Sequence, residues 1–101
     1  MLDREGVIIC NLISGIGYVK YQALCDALGS SAAVFETSEN DLAQVRGIGP
    51  VLAKKISGFA AAEELEKELA LVNRSGVRLI TILDANYPDV LRHLYDPPLC
   101  L

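Results

Sequence analysis

At 101 residues, with 51% hydrophobic and 22% charged side chains, the chain has room for one folded core and lacks the polar bias of a disordered segment. A formal net charge of −4 excludes a general basic surface for nucleic acid, so any such contact must be local. The apolar run Val7–Cys10 falls far short of a membrane span, the opening Asp3-Arg4-Glu5 lacks a signal's positive patch, and Cys10, Cys25 and Cys100 fit neither a zinc site nor a disulfide framework. A cytoplasmic domain with reduced thiols and no membrane partner is expected.

In chain order, Ile8, Ile9, Leu12 and Ile13 recur at helical spacing and predict a first helix over residues 3–13, stopped at Ser14-Gly15. Tyr21, Leu24, Cys25 and Leu28 form one face of a second helix over 18–28, with Gly29 as its left-handed stop. Ser30 and Ser31 cap a short helix through Ala33 and Phe35. Ser38 and Asp41 stand three apart, as reciprocal capping requires, and begin another that ends near Val45. Pro50 suits a first helical position; from it Leu52, Ile56 and Phe59 start a stripe that Leu65, Leu69 and Val72 carry on to Gly76. Gly58 marks a bend, Glu63 pairs with Lys67 at i, i+4, and Glu63, Glu64, Glu66 and Glu68 make a solvated acidic face. Arg78–Ile82 then reads as a strand, Tyr87-Pro88 opens a turn of helix towards Leu94, and Asp96-Pro97-Pro98 forces an extended tail. The expected fold is mainly α, a tandem helical-hairpin bundle over 1–76, with one C-terminal β-strand and an extended tail over 77–101. A lone strand and the apolar end Leu99-Cys100-Leu101 leave edges uncovered. The expectation is a polypeptide that continues, or two chains that pair there as a homodimer.

Two copies of one motif carry the functional reading. Ser14-Gly15-Ile16-Gly17 and Arg46-Gly47-Ile48-Gly49 each stand between a helix that ends and one that begins, and Gly47 follows Gly15 by 32 residues. That is an internal duplication. The glycines permit a rigid corner, the central isoleucine tucks between the flanking helices, and the outward amides at the next helix start carry the dipole's positive end, which suits a phosphate. The predicted DNA-binding residues are Gly15, Ile16, Gly17 and Lys20 in the first copy and Arg46, Gly47, Ile48, Gly49, Lys54 and Lys55 in the second, the lysines adding backbone contacts. The competing reading makes both corners plain connectors, Arg46 a cap on the preceding helix and Lys54 a solvated side chain. The first copy departs from the second in having Tyr18 for Pro50 and Lys20 for the lysine pair. No third glycine of a dinucleotide fingerprint and no phosphate-loop lysine follow, and His93 stands alone, so no enzyme activity, cofactor or metal is expected.

Gly47-Ile48-Gly49-Pro50-Val51-Leu52-Ala53-Lys54-Lys55-Ile56 resembles the second half of a helix-hairpin-helix element, a nonspecific DNA-backbone reader. With Gly76–Thr81, Asp84, Tyr87-Pro88, Leu91 and Asp96-Pro97-Pro98, nearly the whole chain resembles the N-terminal region of the DprA/Smf family. The resemblance implies a SAM-like tandem of hairpins leading into a Rossmann-like domain. The whole protein would then bind single-stranded DNA and load RecA recombinase in natural transformation, with this domain an accessory backbone-binding or self-association module. The alternatives are a protein-interaction module without DNA contact and the hairpin domain of a repair nuclease or ligase.

Overall fold

A computed structural model describes the chain from Met1 to Leu101. It holds α1 (Asp3–Leu12), α2 (Tyr18–Leu28), a 3-10 turn (Ala32–Glu36), α3 (Glu39–Ala43), α4 (Gly49–Ser57), α5 (Ala61–Ser75) and α6 (Asp89–Arg92). The helical periods and stops therefore fall where the local chemistry places them. Gly29 and Gly76 end α2 and α5 at φ +96° and +69°. At the start of α3 the Ser38 hydroxyl accepts from the Asp41 amide at 3.2 Å, and at the start of α1 Glu5 accepts from the Leu2 amide at 2.8 Å.

The duplication extends beyond the corners into the core. At the 32-residue offset, Cys10 pairs with Leu42, Ile13 with Val45, Ile16 with Ile48, Tyr21 with Ala53 and Leu24 with Ile56, and all ten are buried. Each hairpin thus contributes the same set of inward positions, and the two sets face one another in a single core of 18 side chains. The same offset sets Lys20 against Leu52, and Gln22 against Lys54, so the lysines of the two copies are not equivalent residues.

Three expectations need correction. The helix predicted from Pro50 to Gly76 is broken rather than bent: α4 ends at Ser57, and Gly58-Phe59-Ala60 turn the chain before α5. On α5 the ion pair joins Lys67 to Glu64 at 3.5 Å, one residue nearer than the predicted Glu63. The strand over 78–82 is not a lone strand, and it shrinks to one antiparallel bridge, Thr81 with Cys100, flanked by Leu101 N–H to Ile80 O at 2.8 Å and Ile82 N–H to Leu99 O at 2.9 Å. The apolar tail is its partner. Leu99 enters the main core with Ile82 and Tyr87, so the edge offered for pairing with a second chain is filled from within.

The first helix is also more central than its stripe implied. Val7, Ile8, Ile9 and Cys10 are four consecutive buried residues, so the central turn of α1 is enclosed while Asp3 and Asn11 towards its ends stay exposed. Burial pushes the Cys10 thiol up to about 12, with the Cys25 and Cys100 thiols adding to the rise, so it stays protonated as a packing residue. Its enclosure requires close approach: Gly6 lies directly under Ser31, whose hydroxyl donates to the Asp3 carbonyl at 2.6 Å. The C-terminal segment is tied down by Arg4, which donates to the Asp84 carboxylate at 3.0 Å and the Leu79 carbonyl at 2.9 Å. Arg92 donates to the carbonyls of Ile82 and Asp84 while lying 4.8 Å over the Tyr87 ring, and Tyr87 donates to the Pro98 carbonyl at 2.6 Å. No helix is long and apolar enough to cross a membrane.

Candidate functional site

The two Gly-Ile-Gly corners are built alike up to their last residue. Gly15 and Gly47 take φ of +98° and +89°, a left-handed turn that a side chain would strain. The following isoleucines close it, the Ile16 amide donating to Ile13 O at 3.3 Å and the Ile48 amide to Val45 O at 3.1 Å. Both isoleucine side chains are 7% exposed, pinned in the core as the duplication predicts. The corners then diverge. Gly17 is extended and precedes α2, whereas Gly49 keeps a positive φ of +70° and begins α4 directly.

The divergence decides which amides face solvent unpaired. At the second corner, the N–H groups of Gly49 and Val51 have no acceptor, Pro50 has none to offer, and nothing lies within 4 Å of where a Cβ on Gly47 or Gly49 would stand. At the first corner the Val19 and Lys20 amides are free, but the Tyr18 amide donates to Asp96 Oδ1 at 3.2 Å. A carboxylate from the tail, 78 residues away in sequence, sits on that helix start.

The lysines behave differently from one another. Lys20 donates to the Gly47 carbonyl at 3.0 Å and Lys55 to the Ser14 carbonyl at 3.1 Å, so each hairpin's cation is bonded to the turn of the other. The pair braces the corners side by side, with Leu52 of α4 lying against Gly15. The side chains of Lys54 and Arg46 are exposed and make no hydrogen bond or ion pair. Arg46 therefore does not cap the helix before it. Of the ten predicted residues, the four glycines and two isoleucines form the corners, Arg46 and Lys54 stand free on the second hairpin, and Lys20 and Lys55 have structural partners. Asp96 was invisible to sequence reasoning as a neighbour of Gly17, because no local spacing links them.

The most spacious hollow, about 350 Å³, lies between α5 and the tail and is lined by Val72, Val77, Leu79 and Leu101 together with Glu68 and Cys100; burial pushes the Cys100 thiol up to about 11, so it stays protonated.

A family model described as a SAM-like helix-hairpin-helix tandem matches residues 12–62, the span that holds both corners. A DNA ligase of Chloroflexus aggregans (strain MD-66 / DSM 9485) is 36% identical over 78 residues, covering 77% of this chain and 11% of the ligase. A DNA ligase of Roseiflexus sp. (strain RS-1) is 33% identical over 63 residues, covering 62% of this chain and 9% of the ligase. The chain thus spans about a tenth of the length of these curated relatives, neither of which is a DprA/Smf protein. No solved structure matches it.

Proposed function

The chain belongs to the SAM-like helix-hairpin-helix tandem family, and we propose that it is a DNA-backbone-binding module, without sequence preference, of a larger DNA-processing protein. The observation that carries this reading is the second corner: unpaired Gly49 and Val51 amides at the start of α4, open space over both glycines, and Arg46 and Lys54 free beside them. Backbone amides and lysine read phosphate and not base edges, so the contact carries no sequence information. It also suits an acidic protein, because the charge comes from a helix start and two cations and not from the surface as a whole.

The relatives' names favour a DNA ligase as the host, in which the hairpins would hold DNA for the catalytic domains. A second reading, the DprA/Smf one, is favoured by residues 77–101, which lie beyond the matched family span. There Tyr87 and Pro98 bond to each other and Arg92 locks the turn before them, so the Tyr-Pro and Asp-Pro-Pro landmarks form one docked unit. In that host the domain would assist a cytoplasmic single-stranded-DNA binder that loads RecA.

Fluorescence anisotropy with duplex and single-stranded DNA of unrelated sequences tests the module. Binding at low salt that weakens with added salt and is alike across sequences is expected, and Arg46→Glu with Lys54→Glu should weaken it uniformly. No binding at low salt removes the DNA role. Nick sealing by the full-length protein, against RecA loading on single strands, separates the two hosts.

A further inference from the structure

We propose that the first hairpin's phosphate seat is occupied by the chain's own Asp96 carboxylate, so that backbone binding runs through the second hairpin until the tail segment releases it. The inference rests on the DNA-backbone reading above and extends it to how the two copies share the work.

The occupied seat is part of the built structure. Asp96 Oδ1 accepts from the Tyr18 amide at 3.2 Å and lies 3.3 Å from where a Gly17 Cβ would stand, so the carboxylate rests close against the corner, where any side chain on residue 17 would crowd it. Its backbone is held on the C-terminal side: Pro97 is buried, Tyr87 fixes the Pro98 carbonyl at 2.6 Å, and Leu99 pairs with Ile82 in the core. The contact is an anion on a helix start, the chemistry a phosphate oxygen would use. The equivalent place at the second corner holds no side chain. The Val19 and Lys20 amides beside it stay unpaired, but a carboxylate on the Tyr18 amide repels a phosphate that approaches them, and the residues that carry it, 93–96, are exposed.

Amide chemical shifts read each seat separately. With a short DNA duplex added to the wild-type protein, the Gly49 and Val51 signals should move while those of Tyr18 and Val19 stay. In Asp96→Ala, Tyr18 and Val19 should move as well, and the plot of log affinity against log salt should steepen by about one, for one more phosphate engaged. Asp89→Asn removes an equal charge from α6, away from the corner contact, and should leave the Tyr18 and Val19 signals unmoved by DNA. The gate is overturned if Tyr18 and Val19 already respond in the wild type, if Asp96→Ala leaves them silent while Gly49 and Val51 respond, or if Asp89→Asn reproduces the gain. If no amide responds in any variant, the DNA reading itself fails and the gate with it.

Discussion

Replacing Gly6 by alanine sets two effects against each other, and the structure says which is larger. In the interior of α1 alanine is the better helix former by about 1 kcal/mol, so a helix considered alone would gain stability. Here a Cβ would meet the Ser31 carbonyl carbon at 2.7 Å, its oxygen at 2.8 Å and its hydroxyl at 2.9 Å. Two of those three atoms are backbone and cannot rotate aside. Restoring an ordinary contact of 3.4 Å means moving the 3-10 segment away from α1 by roughly 0.7 Å. That shift loosens Val34, which is fully enclosed, and stretches the 2.6 Å bond from the Ser31 hydroxyl to Asp3. Overpacking of this kind costs about 1–3 kcal/mol and a weakened buried hydrogen bond about 1 more. Less the helical gain, Gly6→Ala should lose about 1–3 kcal/mol, a large part of the ~5–15 kcal/mol that holds a domain of this kind folded. Urea unfolding followed by far-ultraviolet circular dichroism, with the slope unchanged, measures it directly. A variant as stable as the wild type, or more so, would mean that α1 and Ser31 do not approach as described.

Two further predictions use the ties that bind distant segments. Burial pushes the Asp84 carboxyl up, but the Thr81 amide and the Arg4 guanidinium outweigh it and leave the group below its ordinary value. The folded state therefore favours the ionised form. Its stabilisation is present above about pH 4, the ordinary carboxylate value, and is lost as pH falls through the lower folded value. Comparing urea midpoints of wild type and Asp84→Asn from pH 7 to pH 3 should show a gap that closes in acid; a gap independent of pH contradicts the assignment. On the hairpins, Lys20→Ala and Lys55→Ala should each cost about 0.5–1 kcal/mol through the lost brace, whereas Lys54→Ala should change stability by less than about 0.5 kcal/mol. The reverse ranking in the same unfolding assay would show that the carbonyl contacts do not hold the corners together.

Much of this fold is legible from residues close in sequence. The span 18–28, the stops at Gly29 and Gly76, the Ser38 cap and the buried Ile16 and Ile48 each follow from helical period, capping chemistry or a glycine corner. The duplication was equally plain from the two Gly-Ile-Gly turns, and its extension to the Cys10 and Leu42 pair needed only the same offset. The strand was misread because pairing depends on a partner: residues 80–82 find theirs in 99–101, and spacing within 78–82 carries no trace of it.

The sequence alone determined where α1, α2, α3 and the two corners lie, because backbone preferences act within a turn or two of chain; the break between α4 and α5 was not among them. Which lysine is free, which amide is taken and which helix is enclosed were decided only in three dimensions. Lys20 reaches across 27 residues, Lys55 across 41, Asp96 across 78 and Arg4 across 80. A charged side chain goes to whichever acceptor or donor the packed core brings within about 3 Å, and residues that far apart become neighbours only through the burial of the apolar faces between them.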